Sequence, residues 1–225
     1  MRRLCVALDT HLEQALRLVE LLKGYPLIYK IGYKLFVSNG VEVIRKVRDI
    51  DPSAELFLDL KLHDIPNSVR NGVISATNLG VDYLTLHTLG GSEMIKRASE
   101  VKGTLKLLGV TLLTSHGEEY LKELGISLSK EELILKLAQI GLKNGCDGLV
   151  CSAHEVAYLK EILGNFIAVV PGIRPYKVEG DDQRRIALPE EAVERGADII
   201  VVGRPILKAD EPRKVIEDIL KRTGQ

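Results

Sequence analysis

The chain has 225 residues, 45% apolar and 28% charged, the balance of a soluble globular protein with one sizeable core. Lys and Arg total 31, as do Asp and Glu, so the net charge is zero and gives no global case for nucleic acid or an acidic membrane. No apolar run reaches transmembrane length, and with no tryptophan and only three phenylalanines, aromatic stacking of nucleic acid is not expected.

Met1-Arg2-Arg3 leads straight into Leu4-Cys5-Val6-Ala7-Leu8-Asp9, an apolar stretch too short for a signal peptide, so a cytoplasmic location is expected. From there, short β-branched or leucine-rich runs alternate with amphipathic segments. Strands are predicted over Leu4–Leu8, Leu27–Ile31, Glu55–Leu60, Tyr83–His87, Lys106–Leu112, Gly148–Cys151, Ile167–Val170 and Ile199–Val202. Helices are predicted over Leu12–Lys23, Gly40–Arg48, Ser68–Leu79, Ser92–Val101, Lys130–Asn144, Ala153–Leu163, Glu190–Arg195 and Pro212–Lys221. Eight such units in this length predict an α/β chain folded as one (β/α)8 TIM barrel over residues 1–225. The alternative, a doubly wound open sheet, would be favoured by a GxGxxG after the first strand, and that motif is absent. Gly80-Val81-Asp82, Gly145-Cys146-Asp147 and Gly196-Ala197-Asp198 each end a helix with glycine and enter a strand through an aspartate. Cys5, Cys146 and Cys151 lack metal or CxxC spacing and are expected to be buried thiols in a reducing compartment.

Polar residues collect where the strands end, which in a barrel is the rim that carries active sites. Asp9 ends the first strand, Lys30 the second, Asp59 and Lys61 the third, Thr114 and Ser115 follow the fifth, Pro171 to Arg174 the seventh, and Gly203-Arg204 the eighth. Within Glu55 to Lys61, Leu56, Leu58 and Leu60 share one face and Phe57, Asp59 and Lys61 the other. Asp9, Lys30, Asp59, Lys61 and Asp64 are expected to form an alternating network of acids and ammoniums. A lysine among carboxylates is a positioned proton donor for a strongly basic centre forming beside it. No metal site is expected, since the histidines are scattered. His11, His63, His116 and His154 read as ordinary polar or capping residues. His87 faces the rim, where Thr85 and Thr88 are expected to satisfy it.

Val202-Gly203-Arg204-Pro205-Ile206 fits a phosphate clamp: glycine lets the backbone approach an anion, arginine forks onto its oxygens, and a short helix begins there. The long polar connection from Pro171 to Ala187 reads as a closing lid that brings Gln183 and Arg174 to the ligand.

Asp59-x-Lys61-x-x-Asp64-Ile65-Pro66-Asn67-Ser68 resembles the signature of the orotidine 5′-phosphate decarboxylase family, with Ser68 where many members have threonine. Ala7-Leu8-Asp9, Tyr29-Lys30-Ile31-Gly32, Leu113-Thr114-Ser115, Pro171-Gly172-Ile173-Arg174, Asp181-Asp182-Gln183-Arg184 and the Gly203-Arg204-Pro205-Ile206 clamp also match, in the family's order. The resemblance implies decarboxylation of orotidine 5′-phosphate to uridine 5′-phosphate, the last step of pyrimidine nucleotide synthesis, without metal or organic cofactor. It implies that Lys61 delivers a proton to C6 and that Asp59 lies against the substrate carboxylate. Lys30 and Asp9 would engage the ribose, and Thr114 or Ser115 the pyrimidine edge. Gln183 and Arg204 would hold the phosphate, with Arg174 on or near it. Ile65, Ser68, Pro171 and Gly203 would complete the substrate-binding set. The Asp64 segment would reach into a neighbouring subunit, making a homodimer with composite sites. Two alternatives stand beside this reading. One is a Mg²⁺-dependent sugar-phosphate decarboxylase or aldolase using the same Asp-x-Lys-x-x-Asp set. The other is a catalytically silent nucleotide-binding barrel.

Overall fold

Parallel strands cannot be joined by tight turns, so each strand here must be followed by a crossover that returns the chain to the same end of the sheet. A computed structural model describes residues 3–176 and 187–225. Its strands are β1 (Arg3–Ala7), β2 (Leu27–Ile31), β3 (Glu55–Leu62), β4 (Tyr83–His87), β5 (Lys106–Val110), β6 (Gly148–Val150), β7 (Ile167–Val170) and β8 (Ile199–Val202). They pair in parallel in sequence order, and β8 closes on β1, so the sheet is the predicted (β/α)8 barrel. Around it run α1 (Leu12–Leu22), α2 (Tyr33–Asn39), α3 (Glu42–Ile50), α4 (Pro66–Asn78), α5 (Gly91–Ser99), α6 (Glu118–Glu123), α7 (Lys130–Lys143), α8 (Ala153–Leu163), α9 (Pro189–Glu194), α10 (Arg204–Leu207) and α11 (Pro212–Thr223). Among the described residues no helix is long and apolar enough to cross a membrane.

Strand alternation divides the core in two. Cys5, Ala7, Ile28, Phe57, Leu108, Val169, Ile199 and Val201 fill the barrel interior. Leu4, Leu56, Leu58, Leu84 and Leu107 face outward and pack with the helices in the larger cluster. The predicted leucine face of β3 is therefore its helix face, and Phe57 and Asp59 take the inner phase. All three cysteines are free and buried, as expected.

Several elements differ from the sequence reading, among them the unpredicted short helix α6, and three differences bear on the rim. Gly40 has φ 56° and ends α2, so the helix predicted from Gly40 instead starts at Glu42. The helix α2 itself was not predicted, because only Leu35 in it is buried and Val37 is 77% exposed, which leaves no apolar stripe. The third strand runs on to Leu62 through a bulge: Leu58 pairs with Leu84, and pairing resumes at Leu62 with Leu86.

At the N-terminal end of the barrel the three Gly-x-Asp turns work alike. Gly80, Gly145 and Gly196 adopt left-handed backbone at φ 69°, 107° and 100°. Each following aspartate accepts a backbone N–H from the preceding strand: Asp82 from Leu56 at 2.7 Å, Asp147 from Leu107 at 2.9 Å and Asp198 from Ala168 at 2.8 Å. Each also receives a cation from a neighbouring helix or its flanking turn, respectively Arg48 at 3.0 Å, Lys102 at 2.6 Å and Lys160 at 2.8 Å.

Candidate active site

The inner phase of the strands ends in charge at the C-terminal rim. Lys30 is inner on β2 and Asp59 on β3, while Asp9 follows β1 by two residues. Lys30 Nζ lies 3.3 Å from Asp9 Oδ1 and 3.3 Å from Asp59 Oδ2, and Lys61 Nζ lies 2.8 Å from Asp59 Oδ1. Asp9, Lys30, Asp59 and Lys61 thus form one row of alternating sign, four of the five residues expected. Asp64 does not join it: its carboxylate accepts from the Ile65 backbone N–H at 2.6 Å and is exposed, making no ion pair among the described residues. The chain turns outward after Leu62 and carries Asp64 away from the row.

Burial of these charges sets their protonation. Burial pushes the Asp59 carboxyl up, but Lys30, Lys61 and hydrogen bonds from Lys61 and Thr85 outweigh it and hold it below the usual carboxylate range. Burial likewise pulls the Lys30 ammonium down, and Asp59 and Asp9 more than reverse this. Asp59 and Lys30, at the centre of the row, are therefore both ionised near neutral pH. Gly32 sits where a Cβ would come 3.1 Å from Asp9 Oδ1 and 3.3 Å from Lys30 Nζ, so any side chain there would press on that pair.

Lys61 is reached through the bulge. Its φ is 45°, the only left-handed non-glycine backbone among the described residues. Such a conformation costs on the order of 1–3 kcal/mol and persists only where neighbours enforce it. Thr85 of β4 is one such neighbour: its hydroxyl accepts from Lys61 N–H at 2.8 Å and donates to Asp59 Oδ1 at 2.9 Å. Tyr33 holds the strand from the other side, its hydroxyl donating to the Leu60 carbonyl at 2.7 Å. Neither residue was singled out from sequence as part of the site. For Thr85 the signal was present, since Tyr83, Thr85 and His87 share the inner phase of β4.

His87 corrects the sequence reading. Thr85 serves Asp59 and Lys61, and Thr88 donates to the Val110 carbonyl at 2.9 Å, so neither satisfies the imidazole. His87 Nδ1 is buried without a hydrogen-bond partner, and the ring stacks on His63 with centroids 5.7 Å apart. Burial, with His63, Lys61 and His116 nearby, pushes its pKa down to about 4, so the ring is neutral beside Lys61.

The remaining predicted residues are spread around the same rim. Thr114 and Ser115 form a turn beyond β5, and Ser115 is exposed. Ile65 is 67% exposed, and Ser68 lies in the first turn of α4. Pro171 follows β7, and Arg174, only 5% exposed, donates through Nη1 to the Ile173 carbonyl at 3.1 Å and through its backbone N–H to Ala187 O at 2.9 Å. Arg174 is thereby built into the base of the long connection. Gln183 lies outside the described residues. Gly203 precedes α10 with Arg204 exposed at its first position, and a Cβ on Gly203 would lie 3.4 Å from Ala7 Cβ and 4.0 Å from Asp9 Oδ2. The Gly203–Arg204 turn therefore abuts the acidic end of the charged row. A cleft of about 370 Å³ beside Lys61, the one member of the row that lines it, is bounded by Tyr33, Leu62, His63, Asp64 and Ser68 among others. Among the described residues no three His, Cys, Asp or Glu side chains gather to hold a metal.

Comparison with known proteins agrees with this arrangement. The family model described as Orotidine 5′-phosphate decarboxylase / HUMPS family matches residues 2–219. The chain is 47% identical over 231 aligned positions to the orotidine 5′-phosphate decarboxylase of Aquifex aeolicus, covering 100% of both chains. It is 40% identical to that of Wolinella succinogenes, covering 97% of this chain and 98% of the other. The crystal structure of orotidine 5′-phosphate decarboxylase from Lactobacillus acidophilus superposes with a TM-score of 0.87 at 39% identity, covering 100% of each chain. On fold, rim chemistry and full-length similarity together, the chain belongs to the orotidine 5′-phosphate decarboxylase / HUMPS family.

Proposed function

We propose that the protein decarboxylates orotidine 5′-phosphate to uridine 5′-phosphate, the last step of uridine monophosphate synthesis, without metal or organic cofactor. The observation that carries this reading is the row of acids and lysines, Asp9, Lys30, Asp59 and Lys61, joined by ion pairs at the rim next to the Gly203–Arg204 turn. The scissile bond joins C6 of the pyrimidine to its carboxylate. When it breaks, carbon dioxide leaves, the electron pair stays on C6, and Lys61 Nζ–H supplies the proton that replaces it. Asp59, held ionised, repels the substrate carboxylate, and this repulsion is relieved as carbon dioxide leaves and the electron pair passes to C6, facing Lys61. The two lysines are fixed positive charges that stabilise the carbanion in place of an electron sink. Asp9 and Lys30 hold the ribose, Thr114 or Ser115 the pyrimidine edge, and Arg204 with Gln183 the phosphate. Arg174, from its buried position, steadies the base of the connection that bears Gln183. Phosphate binding far from the reacting carbon supplies energy to close the site. The whole chain, residues 1–225, serves as one barrel, and its buried thiols suit the cytoplasm.

The active unit in this reading is a homodimer. Asp64 and Ile65 are exposed at the edge of the cleft, and Tyr33 (55% exposed) and Val37 (77% exposed) present further apolar surface on the neighbouring α2. A second copy covering this surface would receive the Asp64–Ile65–Ser68 segment at its own site.

Turnover of orotidine 5′-phosphate, followed by pyrimidine absorbance in the presence of EDTA, tests the reaction. Full activity is expected, whereas dependence on added Mg²⁺ would favour the sugar-phosphate alternative and no turnover would favour a binding-only barrel. For the shared site, inactive Lys61→Ala and Asp64→Ala proteins should regain activity on mixing, because each heterodimer holds one intact site. A mixture that stays inactive after verified subunit exchange would rule out composite sites.

A further inference from the structure

Three hydrogen bonds close a ring about one buried hydroxyl. Lys61 N–H donates to Thr85 Oγ1 at 2.8 Å, Thr85 Oγ1–H donates to Asp59 Oδ1 at 2.9 Å, and Lys61 Nζ donates to the same Asp59 oxygen at 2.8 Å. The amide and ammonium can only donate and the carboxylate oxygen can only accept, so the hydroxyl must accept once and donate once. Thr85 is fully buried, and nothing else in the ring offers both functions.

The strand register explains why a hydroxyl is needed there. Between the Leu58–Leu84 and Leu62–Leu86 pairs, β3 takes four steps while β4 takes two. Thr85 is the residue of β4 opposite the surplus. The left-handed Lys61, φ 45°, turns its amide out of the ladder, and Thr85 Oγ1 replaces the missing carbonyl acceptor. A hydrocarbon side chain of the same shape would leave that amide unpaired and would free Asp59 from one of its donors.

We propose that Thr85 is a positioning residue: its hydroxyl holds Lys61 in the left-handed bulge that lays the ammonium against Asp59, and so sets the geometry from which the proton is delivered. The proposal rests on the decarboxylase reading for its kinetic consequence, but its structural content stands independently. Asp59 is faced by Lys30 from β2, Lys61 from its own strand, Thr85 from β4 and Cys5 from β1; Asp9, after β1, pairs with Lys30, and neutral His87 on β4 stands beside Lys61. Removing the Thr85 donor takes away one of the influences that keep the Asp59 carboxyl ionised, so its pKa should rise.

Three substitutions test this. Thr85→Ser keeps the hydroxyl, Thr85→Ala removes it, and Thr85→Val removes it while keeping the shape. In the Ala and Val variants kcat should fall about 10- to 100-fold, with KM and uridine 5′-phosphate binding changed less than about threefold. Their acid limb of kcat/KM should move to higher pH. Thr85→Ser should come within about threefold of the parent and keep its pH profile. Should the valine variant not fold, the Ser and Ala pair decides alone, because both lack the methyl and differ only in the hydroxyl. Equal kcat and equal acid limbs in Ser and Ala would overturn the proposal, as would loss of thermal stability alone. Crystal structures keep this failure distinct from failure of the decarboxylase reading. Lys61 should leave the left-handed region or lose its contact with Asp59 in Thr85→Ala and keep both in Thr85→Ser, whatever the substrate. An unchanged Lys61 in the alanine variant would refute the positioning role even in a protein that decarboxylates nothing.

Discussion

The two ends of the barrel use charge in opposite ways. At the N-terminal end Asp82, Asp147 and Asp198 each receive a backbone N–H and a helix-side cation, so their charge is engaged by the protein's own scaffold. At the C-terminal end Asp9, Lys30, Asp59 and Lys61 are paired chiefly with one another, and Thr85 is the neutral side chain that completes their contacts. Half-buried ions paired chiefly among themselves are a poor way to stabilise a fold, because desolvation offsets much of their attraction. A row of this kind is better suited to a bound ligand's charge, whereas the lower aspartates have little left to offer one.

Substitutions should separate the two ends. The largest effect is expected for Lys61→Ala, which should lower kcat by roughly 10⁴-fold or more while uridine 5′-phosphate still binds, because the proton donor is lost and the phosphate contacts remain. Near-normal kcat would break the contrast at its centre. Next, Arg204→Ala should lower kcat/KM by roughly two orders of magnitude. That loss should largely disappear on a substrate lacking phosphate, and equal loss on both substrates would move Arg204 from the clamp to the scaffold.

At the other end Asp198→Ala should cost about 2 kcal/mol, read as roughly 4–8 °C in Tm, with kcat of the folded protein within about twofold. A large kcat effect there would show that the ends are coupled. The smallest effect concerns His87, whose pKa falls from 6.5 to about 4 on folding. The unfolded chain then binds the proton more readily, so this stability is fully present above pH 6.5 and is lost as pH falls from 6.5 through about 4. Melting temperatures of His87→Asn should therefore depend less steeply on pH across that interval, and an unchanged slope would place the acid sensitivity elsewhere.

The barrel was legible in the sequence because each strand and its following helix carry their own periodicity and glycine stops. The row was legible for a related reason: alternation puts Lys30 and Asp59 on the inner face, and the strand ends bring Asp9 beside them. What escaped were features that depend on register between strands. The bulge at Lys61 is a mismatch between β3 and β4, invisible in either alone, and Thr85 matters only because it stands opposite it. The partners expected for His87 failed for the same reason, since Thr85 and Thr88 bond across to β3 and β5. Asp64 looked like a fifth member of the row by spacing, but the turn into α4 carries it outward.

The three Gly-x-Asp aspartates at the lower end stand before β4, β6 and β8, and each carboxylate reaches back to the strand just before it. Their carboxylates therefore staple β3 to β4, β5 to β6 and β7 to β8, while across the next seams, to Lys106, Ile167 and Arg3, the same residues offer only their main-chain carbonyls. Along this part of the circumference the side-chain staples, unlike the continuous sheet bonds, come in two-strand units. Circular permutants opened between β4 and β5, or between β6 and β7, keep every staple inside a continuous piece of chain. Permutants opened between β5 and β6 must re-form one between distant termini, and should refold more slowly for it.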